Sequence, residues 1–335
     1  MTACNAIDRA LDHLAARQHP SGEFPLLRWQ PRAPETSTLP DTTPFSAAVI
    51  ARCLEMSDDP RARRIVAGAT RFIRQLMEPG GVWRYCPNHG ARGRFPADVD
   101  TIACCSGVLR GAGIPMPDNR PLLLANRDRR GLFHTWITPR RAPLDPVFWR
   151  VAFGYYLRPV QAVRWWRLGE ASPSDVDAMV NASVLAYLGH DHATEPVVDW
   201  LTEIVRRGAE ASDRWYMSPF SFQEMLSRSY RAGVTALRSV RDESIRHLCA
   251  AANPDGSIGE SSLDTAWAVC ALLNWDGGED VAAAGAAHLR RTQHSDGWWV
   301  RSPFFWGGPS REWAWGSDEV TTAYCVEALL RAPAA

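Results

Sequence analysis

The chain has 335 residues, of which 46% are apolar and 22% are charged, and its formal net charge is zero. This composition is typical of a globular protein with a sizeable core, and a chain without net charge has no general attraction to nucleic acid. All 37 basic residues are Arg, which excludes catalysis through a lysine Schiff base and phosphate binding through a P-loop lysine.

The cysteines and the hydropathy pattern bear on compartment and cofactors. None of the eight cysteines belongs to a Cys-x-x-Cys pair, which favours a reducing cytoplasm. The sequence contains no signal peptide and no apolar span of about 20 residues that could cross a membrane. We therefore expect a cytoplasmic protein without a transmembrane segment, and we leave attachment to a membrane surface open. No dinucleotide fingerprint, P-loop or metal-ligand motif is present, so we assign no cofactor and no metal.

Two signals alternate from the N-terminus onwards. One is a glycine followed two residues later by a large apolar residue, at Gly22, Gly81, Gly131, Gly256 and Gly297. The other is a polar or aromatic residue that opens an apolar, mostly Ala-rich helix, near Asp41, Asp98, Asp175, Trp215, Asp264 and Asp318. Several of these helices precede an amphipathic one, such as residues 61–77, whose apolar residues recur at helical spacing.

The alternation predicts two layers of helices. Helices that are apolar on nearly every side should be buried, and the amphipathic helices should cover them. Six such pairs predict an all-α fold, an (α/α)6 barrel built from six helical hairpins. We interpret residues 1–335 as one domain of this kind, with linkers in the Pro- and Arg-rich stretches 25–44, 110–121 and 138–146. No strong β-hairpin signal is present.

Two of the six helix starts carry a pair of aspartates two residues apart. They are Asp98 with Asp100, and Asp175 with Asp177. Asp is a preferred N-cap that stabilises a helix by about 1 kcal/mol, but a single cap leaves the other carboxylate of each pair without a role. Two carboxylates in an apolar cavity resist double ionisation, so one keeps its proton and can act as a general acid. Alignment of the repeats puts Asp100, Asp177 and Asp264 at one equivalent position.

The second pair predicts a binding cluster. Asn181 follows Asp177 by one helical turn, on the same face of the helix. We predict that Asp175, Asp177 and Asn181 bind a polar group of the substrate; the alternative for Asn181 is a hydrogen bond within its own helix pair. Aromatic residues near the helix starts are candidates for contact with a carbocation, and stacking between repeats is the alternative. These candidates are Phe95, Trp136, Trp215, Tyr216, Trp267, Trp313 and Trp315.

Two of the glycine signals extend to the pattern Gln-x-x-x-Gly-x-aromatic. They run from Gln18 to Phe24 and from Gln293 to Trp299. In this the chain resembles, over nearly its whole length, the squalene-hopene cyclase and class II terpene cyclase superfamily of prenyltransferase and squalene oxidase repeat proteins, whose QW motif has the form Gln-x-x-x-Gly-x-Trp. The resemblance implies the helical barrel of the cyclase β domain. It identifies a fold and does not identify a reaction.

The stretch Asp98-Val99-Asp100-Thr101 resembles the Asp-x-Asp-Asp motif of those cyclases, with Thr101 where the family usually has a further Asp. The resemblance implies that Asp100 is the catalytic acid that protonates an alkene, and that Asp98 is the partner that sets its proton affinity. We therefore predict protonation-initiated cyclisation of an isoprenoid or meroterpenoid substrate in an aromatic-lined cavity. The alternatives are an acid–base isomerase, lyase or cyclase acting on a small polar metabolite, and a non-catalytic binding module in which every Asp is a cap.

Closure of the cavity is a separate question, because familiar members of the superfamily place the site between two helical domains. A single barrel needs a lid. The candidates are residues 25–44, the aromatic loop at 302–315, or a partner chain. The expected partner is a small isoprenoid-type molecule, and the oligomeric state is left open.

Overall fold

The structure, a computed structural model, describes residues 3–33, 39–86, 95–140, 145–157, 159–168 and 170–332. These residues form fourteen α-helices and four short strands. In chain order they are α1 (Ala3–Arg17), β1 (Leu26–Trp29), β2 (Leu39–Asp41), α2 (Pro44–Leu54), α3 (Pro60–Gln75), α4 (Val99–Gly111), α5 (Arg120–Ala125), α6 (Pro146–Tyr156), α7 (Pro159–Leu168), α8 (Ala178–Leu188), α9 (Glu195–Arg206), α10 (Pro219–Arg231), α11 (Arg241–Ala250), α12 (Ser262–Asn274), α13 (Glu279–Thr292), β3 (Phe305–Trp306), β4 (Ala314–Gly316) and α14 (Asp318–Arg331). A 3₁₀ helix, Thr235–Val240, precedes α11.

Six of the helices form a closed ring. Helices α2, α4, α8, α10, α12 and α14 each pack against the next in this order, and α14 packs against α2. Nearly all of their residues are buried. Outside the ring, α3, α9 and α13 cover α2, α8 and α12, and α1 covers α14 and α3. The predicted all-α fold with an inner and an outer layer is therefore confirmed, whereas the assignment of residues 1–335 to one domain stays a prediction.

The inner helices run parallel, because side chains at their starts meet. Asp100 in the first turn of α4 contacts Tyr216 just before α10, and Phe304 packs against Phe45 at the start of α2 and Trp267 near the start of α12. Each inner helix also begins with a side chain that accepts a hydrogen bond from a backbone N–H of its first turn, which satisfies one of the free donors there. These N-caps are Thr43, Asp98, Asp177, Ser218, Ser261 and Ser317. The N-termini share one end of the ring, which we call the upper rim.

The caps correct the alignment of the repeats. The predicted equivalence of Asp100, Asp177 and Asp264 is wrong, since only Asp177 of the three is an N-cap. Asp98 occupies the cap of α4, and Asp100 is the second residue of that helix. Asp264 is the third residue of α12, and its Oδ2 accepts a hydrogen bond from the Ser261 hydroxyl at 2.9 Å. An Asp stabilises a helix from the N-cap and from any position in the first turn. The sequence therefore did not show at which residue each helix begins.

The Gln-x-x-x-Gly-x-aromatic motifs tie neighbouring repeats together. Gln18 Nε2 donates to the carbonyl oxygen of Ile65 in α3 at 2.9 Å, and Gln293 Nε2 donates to the carbonyl oxygen of Ala6 in α1 at 2.8 Å. Gly22 has φ +97°, and a Cβ there would lie 2.0 Å from the carbonyl oxygen of Gly68. The turn therefore requires glycine, and the motifs account for packing without any catalytic role.

Two features were not predicted. The four strands form one antiparallel sheet in the order β2-β1-β4-β3, which joins the candidate lids 25–44 and 302–315. Helices α6 and α7 pack together as an additional hairpin, which starts where the predicted linker 138–146 ends. Residues 34–38 and 141–144 of the predicted linkers lie outside the described residues. None of the described helices is both long enough and apolar enough to cross a membrane.

Candidate active site

The two carboxyls at the start of α4 have different partners. Asp98 Oδ1 accepts the Thr101 N–H at 2.7 Å, while its Oδ2 is buried with no hydrogen-bond partner among the described residues. Asp100 caps nothing: its Oδ2 accepts the Tyr216 hydroxyl and its Oδ1 accepts the Cys104 thiol at 3.7 Å. Each aspartate is only 6% exposed. The first Asp of the pair is thus a helix cap with one spare oxygen, and the second presents its carboxyl to side chains inside the ring.

Burial favours the protonated form of both carboxyls. It raises the pKa of Asp98 to about 7, and the charge of Asp100 adds to this rise, while the Thr101 N–H opposes it. Burial also raises the pKa of Asp100, against hydrogen bonds from the Tyr216 and Ser183 hydroxyls and the guanidinium charge of Arg52. A carboxyl that keeps its proton near neutral pH can act as a general acid.

The second aspartate pair holds loops in place. Asp177 caps α8 through Oδ1, and its Oδ2 accepts the Arg214 N–H at 2.9 Å. Asp175 lies before the helix, where its Oδ2 accepts the Trp136 indole N–H at 3.2 Å and the Ser172 N–H at 2.8 Å. Burial raises the pKa of Asp177 to about 6, with a contribution from the charge of Asp100. Both residues therefore lie at the upper rim, where their oxygens bind backbone and indole donors and, in the case of Asp175 Oδ1, the Arg214 guanidinium at 3.6 Å.

Asn181 is also satisfied by the chain itself. Its Oδ1 accepts the Phe133 N–H at 2.8 Å, and its Nδ2 donates to the carbonyl oxygens of Phe133 and Asp177 at 2.9 and 2.8 Å. The residue is fully buried. Both amide hydrogens are used, so we leave Asn181 out of the proposed site.

Asp213 is a carboxylate at the rim that the sequence analysis missed. Its Oδ1 accepts the N–H groups of Tyr216 and Met217, each at 2.6 Å, and its buried Oδ2 has no partner in the described part of the chain. Burial and the nearby charge of Asp177 raise its pKa. Asp213 thereby fixes the loop that places Tyr216 on Asp100. The sequence does contain a signal for this role, because Asp213 is followed two and three residues later by Trp215 and Tyr216. An Asp side chain commonly accepts hydrogen bonds from the backbone N–H groups that follow it.

The aromatic candidates fall into two groups. Tyr216, Trp267 and Trp315 belong to a cluster centred on Phe304 and Phe305, in which ring centroids lie 5.4–6.2 Å apart. The cluster includes Tyr216, whose hydroxyl contacts Asp100. Because Phe305 and Trp315 belong to β3 and β4, part of the predicted aromatic lid packs in this cluster.

The second group lies beside Asp98. Trp136 contacts Trp215, Trp165 and Trp166, with centroids 5.5–6.3 Å apart. Trp165 and Trp166 come from α7, so the unpredicted hairpin covers this part of the rim. Trp313 joins neither group among the described residues, and the guanidinium of Arg28 stacks on its ring at 4.4 Å.

Comparisons with known proteins bear on the fold. No family model and no curated protein matches the chain. A crystal structure of a protein from Actinoplanes is 21% identical, with a TM-score of 0.75 over 98% of this chain and 99% of that one. Type II terpene cyclase MstE from Scytonema, without ligand, is 17% identical, with a TM-score of 0.72 over 98% of each chain. A variant of MstE in complex with its substrate geranylgeranyl dihydroxybenzoate gives a TM-score of 0.70 at 17% identity, over 98% of this chain and 97% of that one.

These likenesses establish that the chain has the helical fold of a type II terpene cyclase. Each matched chain is covered almost completely by this one.

Proposed function

We propose that the protein is a terpene cyclase-like enzyme in which Asp100 protonates an alkene of an isoprenoid or meroterpenoid and so starts cyclisation. One observation carries the proposal. Asp100 caps no helix, is buried inside the ring, and is hydrogen-bonded to Tyr216 within an aromatic cluster. The fold shared with MstE, whose complexes contain geranylgeranyl dihydroxybenzoate and merosterolic acid A, supports an isoprenoid substrate class.

The proposed step follows from the contacts of Asp100. Its O–H bond breaks as a C–H bond forms from the alkene π electrons, which leaves a carbocation on the substrate and a carboxylate on the protein. The Tyr216 hydroxyl stabilises that carboxylate by donating to Oδ2. The faces of Trp267, Phe304 and Phe305 offer negative potential to the carbocation. Loss of a proton from the cyclised cation balances the reaction, so the chemistry needs no redox partner.

The test is a comparison of wild type and Asp100→Asn with farnesyl diphosphate, geranylgeranyl diphosphate, squalene and prenylated aromatics, with products identified by mass spectrometry. We expect cyclised products from wild type and at least about 10²-fold less product from the variant. A wild-type protein that converts no isoprenoid overturns the substrate class. A folded variant that retains an activity of the wild type overturns the role of Asp100.

The second candidate is an acid–base reaction on a small polar metabolite. It is favoured by the charged side chains inside the ring, where Arg228 pairs with Glu327 at 2.8 Å and also with Glu224. Binding separates the two candidates. Quenching of tryptophan fluorescence by farnesol and squalene favours the isoprenoid, and the lack of quenching by either favours the polar metabolite.

We also propose that the hairpin α6–α7 rests on a membrane surface, from which an apolar substrate could enter. Four of its side chains are exposed although they are large and apolar: Phe153 (52%), Leu157 (82%), Val160 (80%) and Val163 (52%). Residues 146–169 contain four Arg and no Asp or Glu. Exposed apolar groups together with positive charge are the features that bind anionic lipid surfaces.

The same hairpin reaches the candidate site. Trp165 of α7 lies 4.5 Å from the ring of Phe95 and 5.5 Å from that of Trp136, beside the start of α4. An apolar phase under the hairpin would therefore be continuous with the upper rim.

Pelleting with vesicles tests this attachment. Wild type should bind vesicles of phosphatidylserine and phosphatidylcholine more tightly than pure phosphatidylcholine, and Leu157→Glu with Val160→Glu should weaken binding by at least about tenfold. Val300→Glu is the matched control, since Val300 is 67% exposed elsewhere on the surface. Equal effects of the two sets of changes, or a dimer in light scattering that the double variant abolishes, would contradict membrane attachment.

A further inference from the structure

Arg52 extends a guanidinium group into the middle of the ring. It belongs to α2, and its Nη2 donates to the Tyr324 hydroxyl of α14 at 2.8 Å. Its Nη1 lies 4.0 Å from Cys104 Sγ of α4 and 3.9 Å from Met225 Sδ of α10. The guanidinium of Arg52 is therefore in contact with side chains of three other inner helices.

The Arg52 guanidinium forms no ion pair with a carboxylate of the described residues, and the charges of Glu224 and Asp100 act on it only from a greater distance. Its Nε is buried and has no hydrogen-bond partner among the described residues. A guanidinium has five N–H donors, and here only the bond to Tyr324 meets an oxygen acceptor.

The neighbouring arginines inside the ring are paired. Arg228 binds Glu327 at 2.8 Å, and Arg331 binds the same carboxylate at 3.2 Å. Because a buried charge is costly unless it is paired, Arg52 differs from these structural arginines. The N–H donors of Arg52 that meet no oxygen acceptor are therefore available to bind a ligand.

Arg52 also lies close to the proposed acid. Cys104 Sγ is 3.7 Å from Asp100 Oδ1 and 4.0 Å from Arg52 Nη1, so one thiol separates the two groups. An unneutralised cation at this position would repel a carbocation formed beside Asp100, and the repulsion is strong in a medium of low dielectric constant. An anion bound to Arg52 would cancel that repulsion.

We propose that Arg52 binds an oxyanion group of the substrate, either a carboxylate or a phosphate, within the barrel. This inference rests on the proposed function, because it concerns the substrate that Asp100 protonates. It narrows the substrate class to isoprenoids with an acidic group. A planar guanidinium suits both anions, since its N–H pairs match two oxygens of either.

The first test compares three probes of identical chain that differ in their head group: farnesyl diphosphate, farnesoic acid and farnesol. Binding is measured by tryptophan fluorescence in the Asp100→Asn background, so that no probe is converted. We expect both anions to bind at least about tenfold more tightly than farnesol, the gain typical of a charge-assisted hydrogen bond. Arg52→Gln should remove this difference and leave the affinity for farnesol unchanged.

The control is Arg110→Gln. Arg110 lies in the last turn of α4, where it donates to the Tyr187 carbonyl oxygen at 2.7 Å and stacks on the Tyr187 ring. This variant should retain the preference for anions. If farnesol binds wild type as tightly as the anions, or if Arg52→Gln keeps the preference, the oxyanion site is refuted.

A second measurement separates a binding role from a structural one. Thermal unfolding of Arg52→Met should occur at or above the wild-type temperature without ligand, because the variant removes an unpaired buried charge. Sodium pyrophosphate should raise Tm of the wild type and leave Tm of the variant unchanged. A variant of lower Tm, together with a wild type that does not respond to pyrophosphate, would show that Arg52 serves the fold alone.

The outcomes for the site and for the reaction can be told apart. Anion binding that depends on Arg52, in a protein that forms no isoprenoid product, overturns the proposed function and keeps the oxyanion site. If Arg52→Gln forms product from anionic substrates as fast as wild type does, the oxyanion site is overturned and the proposed function is kept.

Discussion

The two Asp-Val-Asp segments of the chain have the same sequence and different positions relative to their helices. In the first, Asp98 is the N-cap and Asp100 is the second residue of α4. In the second, Asp177 is the N-cap of α8, and Asp175 lies two residues before it. Relative to its helix, the second segment therefore lies two residues earlier in the chain than the first.

This shift decides where the additional carboxylate points. Asp100 lies in the first turn of α4, so its carboxylate points into the ring and accepts the Tyr216 hydroxyl. Asp175 precedes α8, so its carboxylate lies at the upper rim and accepts the Trp136 indole N–H and the Ser172 N–H. The same pair of residues thus yields an acid group in one repeat and a structural brace in the other.

The largest expected effect is on catalysis by Asp100. Asp100→Asn should lower kcat/KM by about 10²–10⁴, the usual contribution of a general acid, with little change in Tm. Asp175→Asn is the matched control and should stay within about threefold of wild type. Steady-state assays on whichever isoprenoid is converted check both. A control that falls as far as Asp100→Asn would remove the distinction between the two segments.

A smaller loss is expected for Tyr216→Phe. The variant keeps the aromatic ring and removes the hydroxyl that stabilises the Asp100 carboxylate. Loss of one such donor should lower kcat by about 10²-fold or less and should also raise the pKa of Asp100. The pH at which activity falls should therefore move upwards, and a profile that moves downwards would argue against this hydrogen bond.

The layers of helices were predictable because they depend on local signals. Apolar residues around a whole helix indicate burial, and a polar cap marks its first residue. The register within the first turn was not predictable, since Asp is favourable as a cap and also at the positions that follow it. Asp98 is an N-cap, Asp100 is the second residue of its helix, and Asp264 is the third residue of its helix.

Contacts between distant segments could not be predicted. The bond between Tyr216 and Asp100 joins residues 116 positions apart, and β1 pairs with β4 across almost the whole chain. The sequence does not distinguish Arg52 from other helical arginines, because the absence of an ion pair is apparent only when the six inner helices are packed together. The hairpin α6–α7 was missed because its apolar residues follow neither of the two repeat signals.

The raised pKa of Asp98 in the first segment should make the stability of the protein depend on pH. Burial raises the pKa of Asp98 from its usual 3.8 to about 7, so between these pH values the folded protein binds more protons than the unfolded chain. Stability should then fall as the pH rises through this window. Activity follows the proton of Asp100, whose pKa burial also raises, so activity should fall where that proton is lost.

Asp98→Asn tests that dependence, since Asn is an equally good N-cap. The variant should flatten the decline of Tm between about pH 4 and pH 7, as judged by thermal unfolding in matched buffers. An unchanged slope would mean that Asp98 does not hold its proton in this range.

The smallest effect concerns the cap of the second segment. Asp177→Ala removes the acceptor for the Val180 N–H and for the Arg214 N–H, and it should cost about 1–2 kcal/mol in the free energy of unfolding. Asp177→Asn keeps the cap and should cost a few tenths of that. Urea unfolding gives both values, and kcat/KM should change little in either variant. If Asp177→Asn instead abolishes activity at unchanged stability, both segments are catalytic, and the shift between them does not divide acid from brace.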